Sequence, residues 1–283
     1  DAIGGGLGLG LAGVGEMQPG GAAGQVLAGS RGQTVTYQQE QRRRWGGVLW
    51  SRHLDVQLSV QSVDSLPHLA ADVSSCRRCP RLVAWRELVA LEKRAAFRDD
   101  EYWGRGVPGF GDPAAGILVV GLAPAAHGAN RTGRVFTGDR SGDWLYRAMF
   151  RAGLANQPTS VSIADGLELT GAWVTAVVKC APPDNKPTPA ERSCCRPFLQ
   201  RELELLTESR VVVCLGAFAY EAMCAEFGVR PRPKFGHGVE VVAPNGLYLL
   251  TSFHPSQQNT FTGRLTEPML DAVFARAVEL SVG

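Results

Sequence analysis

The chain has 283 residues, a formal net charge of +2 and 45% hydrophobic residues. These values are typical of a globular protein with one medium-sized domain and an additional segment. The low net charge excludes nucleic-acid binding through a strong overall positive field, so such a surface would need local clusters of basic residues. No apolar run reaches the roughly 18–20 residues of a membrane helix, and no secretion signal is convincing. We therefore expect a soluble, cytoplasmic protein with no membrane partner.

Residues 1–66 are rich in Gly and Gln and lack the alternation of hydrophobic segments found later in the chain. This composition predicts a disordered N-terminal extension. The folded domain is then expected to cover residues 67–283, and we expect it to be a monomer.

Beyond residue 110, short hydrophobic strands alternate with amphipathic helices. Strands are expected at 116–120, 172–178, 211–215 and 247–253, with a minor strand at 239–242. Helices are expected around 145–152, after the capping box that starts at Thr188, at 217–226 and around 269–277. This alternation predicts an α/β fold, a three-layer αβα arrangement with a central, mainly parallel four-stranded sheet.

A long polar loop follows the first of these strands. It runs from Gly121 to Gly142 with the sequence GLAPAAHGANRTGRVFTGDRSG. Ligands of open α/β sheets bind at the carboxyl ends of the strands, so a loop rich in Gly and Arg predicts an anion-binding site there. An ordinary surface loop with turn glycines is the alternative, and a helix N-cap is the alternative role for Asp139.

A second polar loop, HPSQQN, begins at His254 after the last main strand. Because the strands are expected to be parallel, this loop should lie at the same edge of the sheet as the first. A structural hydrogen-bonding role is the alternative to a functional role for His254.

Seven cysteines fall into two groups. Cys214 in a strand and Cys224 on an apolar helix are expected in the core. The remaining five can form a four-thiolate metal site, in which a CRRC pair is completed by two distant cysteines. An odd cysteine count and the lack of a secretion signal make disulfides the less favoured alternative. Spacing alone leaves zinc and a [4Fe-4S] cluster open, because both accept four thiolates. The five residues are Cys76, Cys79, Cys180, Cys194 and Cys195.

Several motifs together resemble those of family 5, or B-type, uracil-DNA glycosylases, a bacterial and archaeal family of the iron-sulfur uracil-DNA glycosylase superfamily. The motifs are CRRCPRLVAWRE, YWGRGVPGFGD, GLAPAAHGANRTGRVFTGD, VVKCAPPDNKPTP, ERSCCRPFL and HPSQQN. The resemblance extends from about Cys76 to Leu280. It implies a monofunctional base-excision-repair enzyme, which flips uracil out of DNA at the nucleoid and hydrolyses the N-glycosidic bond to leave an abasic site.

The resemblance also implies a [4Fe-4S] cluster. Its ligands would be Cys76, Cys79, Cys180 and Cys195, with Cys195 rather than Cys194 aligned as the fourth. We expect the cluster to have a structural role, and redox signalling is the weaker alternative.

Roles in the reaction are implied for three residues. His254 would donate a hydrogen bond to the leaving base, and Asp139 would orient water or stabilise the oxocarbenium ion. Asn185 is a second candidate near the water. Substrate contacts are expected from Gly121, Ala123, Asn130, Phe136, Ser256 and Asn259. Phosphate contacts are expected from Arg131, Arg134 and Arg264.

Two positions depart from the pattern of the related family 4. Leu122 replaces an acidic residue, and Ala176 replaces an Asn that reads the edge of uracil. Loss of this amide predicts weaker discrimination, so hypoxanthine and other deaminated or damaged bases are expected as further substrates. The alternative functions are a uracil-DNA-binding or covalently capturing protein without turnover, and an iron-sulfur electron carrier.

Overall fold

A computed structural model describes residues 34–45, 48–59 and 64–282, which fall into two units divided between Val63 and Asp64. The first unit contains an antiparallel hairpin of β1 (Thr34–Trp45) and β2 (Val48–Ser59). Residues 1–33, 46–47 and 60–63 of the extension predicted over 1–66 lie outside the described residues. The disorder predicted for the N-terminal extension stays a prediction.

The second unit contains the remaining elements. In its first half these are α1 (Leu66–Ser75), α2 (Pro80–Glu92), β3 (Phe110–Gly111), β4 (Ile117–Gly121), α3 (Ala129–Thr132), α4 (Arg140–Arg151) and β5 (Ala172–Ala176). In its second half they are α5 (Pro189–Leu205), β6 (Val211–Leu215), α6 (Ala217–Glu226), β7 (Glu240–Val242), β8 (Tyr248–Ser252), α7 (Gln257–Phe261) and α8 (Glu267–Val282). None of the helices described in this unit is long and apolar enough to cross a membrane.

The sheet of this unit has six strands in the order β3-β5-β4-β6-β8-β7. The inner four are parallel, and β3 and β7 pair antiparallel at the two edges. The mixed α/β class and the mainly parallel sheet are confirmed. The sheet has six strands rather than the predicted four. The minor strand expected at 239–242 is confirmed as edge strand β7, whereas β3 was not predicted, because a strand of two residues is too short to produce a recognisable hydrophobic period.

Both faces of the parallel strands are buried, which explains their continuous hydrophobic sequence. In β4, Leu118 and Val120 belong to one hydrophobic cluster, which includes residues of α1, α5 and α6. Ile117 and Val119 belong to the other, with residues of α4 and α8. Alternate side chains of a strand point to opposite faces, so helices cover both faces of the sheet.

The local signals for helix starts were informative. Thr188 and Glu191 form the predicted capping box at the start of α5, with both reciprocal hydrogen bonds present. Helices α1 and α2 were not predicted, although Ser65 caps α1 and Pro80 occupies the first position of α2. Such starts are typical of helices. Cys214 and Cys224 are buried in the core as predicted.

A buried ion pair connects the segment after β5 to α5. The side chains of Lys179 and Glu202 are each 2% exposed, and the ammonium group of Lys179 donates to the carboxylate of Glu202. This carboxylate also accepts hydrogen bonds from Trp173 and Thr175. Because Lys179 directly precedes Cys180, the pair fixes the segment that carries this cysteine.

Glu202→Gln should therefore destabilise the domain by about 3–5 kcal/mol, because the Lys179 ammonium would remain buried without a compensating charge. Urea unfolding followed by circular dichroism measures this loss. Glu279→Gln is the matched control, because Glu279 forms an exposed ion pair with Arg276 and should cost less than about 1 kcal/mol. Equal losses in the two variants would contradict the importance of the buried pair.

Candidate active site

Three loops meet at the carboxyl ends of the parallel strands β4, β5 and β8. Together with residues that follow α2, these loops line a cavity of about 830 Å³ that is open to solvent. This edge of an open α/β sheet is where ligands bind, so the cavity is the candidate active site. It is lined by Arg94, Phe97, residues 122–128, Val135, Phe136, residues 138–141, Asn185, His254 and residues 256–258.

An aromatic ring forms part of the cavity wall. Phe136 has a positive φ of 51°, an uncommon backbone conformation for a bulky residue that is concentrated at functional sites. Its ring contacts the imidazole of His254, with the centroids 5.8 Å apart. A Cβ on Gly121 would lie 2.6 Å from the Phe136 ring. Buried Gly121 therefore makes room for this ring, whereas Ala123 lines the cavity itself.

The carboxyl group of Asp139 lines the cavity and also caps α4. Its Oδ1 accepts a hydrogen bond from the backbone N–H of Gly142 at 3.0 Å, so the helix-cap role is confirmed. A Cβ on Gly128 would lie 2.1 Å from Oδ2, so this glycine lets the carboxyl group approach the loop. Burial raises the pKa of Asp139, while hydrogen bonds from the start of α4 act in the opposite direction.

His254 follows β8 and contacts Phe136. Burial lowers the pKa of His254 to about 4, so at neutral pH the imidazole is neutral and carries one N–H donor. The side-chain amide of Asn259 donates to the backbone carbonyl of His254 at 2.9 Å. Asn259 is thus a positioning residue for this loop, while Ser256 lines the cavity.

Asn185 lies in a strained turn beyond β5. Asp184 and Asn185 have positive φ values of 55° and 54°, and such conformations cost of order 1–3 kcal/mol each. The exposed side chain of Asn185 lines the cavity. The turn therefore brings an amide to the same cavity as Asp139 and His254.

Three residues predicted to contact DNA or substrate are used inside the protein. Arg134 is 3% exposed and pairs with Asp165 at 2.7 Å. Arg131 pairs with Asp100 at 2.6 Å and donates to two backbone carbonyls. Asn130 is fully buried and also donates to backbone carbonyls. The polar groups of Arg131, Arg134 and Asn130 hold the loop in place in this structure, so the contacts predicted for them would require these internal partners to be exchanged.

Two other basic residues are exposed and stack on aromatic rings, and one of them, Arg140, lines the cavity. Arg264 stacks on Phe253 with its guanidinium 4.6 Å from the ring centroid, and Arg140 stacks on exposed Phe261 at 4.4 Å. No site role was predicted for Arg140 or for two further lining residues, Arg94 and His127. Arg140 directly follows Asp139, and His127 is the only histidine of the first loop. Both residues could therefore have been identified from the sequence as candidates for the site. Arg94 lies just beyond α2, which was not predicted.

A second, narrow cavity is surrounded by sulfur atoms. Its lining includes Cys76, Cys79, Cys180, Cys194 and Cys195. Among the described residues, no three His, Cys, Asp or Glu side chains are grouped closely enough for a single metal ion. A four-iron cluster binds each thiolate through a different iron, so its ligands need not converge on one point. The cysteines around this cavity fit the ligand set of such a cluster, and both members of the adjacent pair border the cavity.

The environment of these sulfurs is suited to negative charge. Arg86 is 1% exposed, and its guanidinium donates to Cys180 Sγ at 2.9 Å and to the Cys76 carbonyl at 2.8 Å. The backbone N–H of Lys179 donates to Cys195 Sγ at 3.2 Å. Burial raises the pKa of the Cys195 thiol to about 11, whereas coordination to a metal deprotonates a thiol. The positive charge of Arg86 beside Cys180 would stabilise negative charge on the sulfurs.

Comparison with known proteins identifies the family. Residues 108–277 match the model of the uracil DNA glycosylase superfamily. A type-5 uracil-DNA glycosylase of Mycobacterium bovis is 55% identical over 77% of this chain and 82% of its own length. One from Thermus thermophilus is 53% identical over 74% of this chain and 95% of its own length. A type-4 enzyme of Archaeoglobus fulgidus is 32% identical over 56% of this chain and 62% of its own length. The chain therefore belongs to the type-5 uracil-DNA glycosylases of the uracil DNA glycosylase superfamily.

Proposed function

We propose that this protein removes uracil from DNA by hydrolysing the N-glycosidic bond of a flipped nucleotide. The observation that carries the proposal is a single cavity lined by a neutral histidine, an aromatic ring and a buried carboxyl group. Cleavage of this bond develops negative charge on the base and positive charge on the sugar. The neutral imidazole of His254 can donate a hydrogen bond to the base, and the carboxylate of Asp139 can stabilise positive charge on the sugar.

At the base end, Phe136 stacks on the flipped base and His254 donates a hydrogen bond to a carbonyl oxygen. A neutral donor suits this task because its hydrogen bond strengthens as charge develops on the oxygen. The contact between Phe136 and His254 sets the two groups side by side. Ala123 and Ser256 provide further contacts along the same cavity.

At the sugar end, the carboxylate of Asp139 orients the attacking water or stabilises the oxocarbenium ion. Its cap hydrogen bond holds it in one orientation, which avoids reorganisation during the reaction. Asn185, which lines the cavity from a strained turn, is the second group proposed to contact the water.

The cysteine cavity is proposed to hold a [4Fe-4S] cluster through Cys76, Cys79, Cys180 and Cys195. Bound there, the cluster would cross-link the start of α2, the segment after β5 and α5. Arg86 supplies a positive charge beside the ligands. Lys179 fixes the Cys180 segment through its ion pair with Glu202.

DNA is proposed to contact the rim of the catalytic cavity, with the protein acting as a monomer. Exposed Arg264 is retained as a phosphate contact, and Arg140 joins it because it lies at the cavity beside exposed Phe261. The segment from Ser256 to Arg264 would enter the minor groove. Such a protein works on chromosomal DNA, at the nucleoid.

A broader substrate range is part of the proposal. Leu122 lines the cavity and Ala176 ends β5, so neither position provides a polar group to read the base. An apolar pocket discriminates weakly between bases. Hypoxanthine is proposed as a second substrate, with xanthine or ethenocytosine as further ones.

The central experiment is excision from a uracil-containing duplex, followed by alkaline cleavage of the abasic strand. The protein is purified anaerobically and used in substoichiometric amounts. Product beyond one equivalent per enzyme supports a glycosylase. Product that stops at one equivalent would favour covalent capture, binding without cleavage would favour a binding protein, and redox cycling without base release would favour an electron carrier.

Asp139→Asn should lower the single-turnover rate of uracil excision by about 10²–10⁴-fold, because the charge is lost. Asn is a good N-cap residue, so the thermal unfolding temperature should change little. Asp143→Asn is the matched control, since it removes an exposed carboxylate from the same first turn of α4. Unchanged activity in Asp139→Asn would leave Asp139 with the cap role alone.

The excision rate should depend on pH through the Asp139 carboxylate. The ionised form is required, so the single-turnover rate should fall as the pH drops through the raised pKa of Asp139. Because the pKa of His254 is about 4, its titration should not change the excision rate near neutral pH. Rates from about pH 4.5 to about pH 9 test this, and Asp139→Asn should lose the acid limb. An identical limb in that variant would assign the titration to another group.

The two adjacent cysteines offer a matched pair of variants. Cys195→Ser should lose iron and the visible absorption of the cluster, because it removes a proposed ligand. Cys194→Ser should retain both. Iron and sulfide analysis of anaerobically purified protein measures the difference, and the opposite pattern would make Cys194 the ligand.

A further inference from the structure

His127 is a polar residue of the catalytic cavity to which the proposed reaction gives no role. It belongs to the loop after β4, and its side chain lines the cavity that also contains Asp139 and His254. Its backbone carbonyl accepts a hydrogen bond from Arg131 Nε at 2.9 Å. The loop therefore holds His127 firmly at the cavity wall.

The imidazole of His127 is oriented by buried Tyr102. The Tyr102 hydroxyl lies 3.1 Å from His127 Nδ1, and the two rings meet edge to face at 79°. The backbone N–H of Arg94 donates to the same hydroxyl oxygen at 3.4 Å, and we assign the hydroxyl proton to Nδ1 on this basis. With Nδ1 as acceptor, the neutral ring carries its proton on Nε2. This tautomer is assigned from the hydrogen-bond network.

The charges around His127 favour this neutral form. Burial lowers its pKa, and the positive charges of Arg94 and Arg131 act in the same direction. Arg131 is already paired with Asp100, whereas the exposed side chain of Arg94 lines the cavity beside His127. One wall thus combines a neutral N–H donor with an exposed cation.

This combination fits an anion better than it fits a base. His254 and Phe136 contact each other and come from the segments after β8 and α3. His127 and Arg94 are linked instead through Tyr102. Phosphate oxygens take hydrogen bonds from both cationic and neutral donors.

We propose that His127, through Nε2–H, and Arg94 bind the phosphate next to the flipped nucleotide. Tyr102 is then a positioning residue that sets the tautomer of His127. The inference rests on the proposed DNA glycosylase function and adds a phosphate site to it.

The test uses duplex DNA with a stable abasic-site analogue, which has the phosphates but no base. His127→Phe should weaken binding of this DNA about 10-fold, because one hydrogen bond to a charged group is lost. His127→Gln, which retains an N–H donor near the Nε2 position, should recover most of the affinity. The single-turnover rate at saturating enzyme should change less than the affinity in both variants.

The salt dependence of binding separates His127 from Arg94. Arg94→Gln should reduce the slope of log affinity against log salt concentration by about 0.9, the value for one neutralised phosphate. His127→Phe should weaken binding without changing the slope, because the histidine is neutral. Tyr102→Phe should weaken binding in the same way, by about two- to fourfold, since it removes only the group that sets the tautomer.

The outcomes distinguish the two levels of the proposal. If the unmodified protein does not excise uracil, the proposed function fails. If it excises uracil while His127→Phe binds the abasic duplex normally, the phosphate site is wrong. A slower single turnover with unchanged binding would likewise overturn it and would assign His127 to the base or the water. Circular dichroism verifies that each variant is folded, and His127→Gln provides a second reading if His127→Phe is not.

Discussion

The buried guanidinium of Arg86 links the cysteine cavity to the catalytic loop. It donates to the sulfur of Cys180 and the carbonyl of Cys76, while its own backbone carbonyl accepts a hydrogen bond from Asn130. A buried positive charge is strongly destabilising unless negative charge lies beside it, and the sulfur of Cys180 is a group that the Arg86 guanidinium contacts. A change at this sulfur should therefore affect α2 and the loop after β4. The cysteine cavity and the catalytic cavity share Arg86 as a common structural element.

The second constraint is close packing around Gly121. This glycine ends β4, and the ring of Phe136 occupies the space that its side chain would need. Phe136 reaches that position only with a left-handed backbone conformation. Conformations of this kind persist where the surrounding structure enforces them. The strain therefore holds an aromatic surface beside His254 before any ligand binds.

Periodicity in the sequence was enough to predict the four parallel strands, because each has a continuous apolar run buried on both faces. It missed the two-residue edge strand β3, whose pairing depends on the neighbouring strand rather than on its own sequence, whereas β7 lies within the minor strand expected at 239–242. Motifs identified the polar residues of the loops but not the direction of their side chains. Arg131 and Arg134 have the composition of a phosphate site, yet ion pairs with Asp100 and Asp165 hold them inside. Only tertiary structure distinguishes these uses of an arginine.

The two histidines of the cavity are kept neutral by different surroundings. Burial alone lowers the pKa of His254, whereas nearby Arg94 and Arg131 add to the effect of burial at His127. A charged imidazole at either position would compete with the exposed arginines for Asp139. A neutral donor avoids this competition, and its hydrogen bond strengthens as charge develops on an acceptor. Among the lining residues of the cavity, Asp139 is then the acidic group, and exposed Arg94 and Arg140 carry the positive charge.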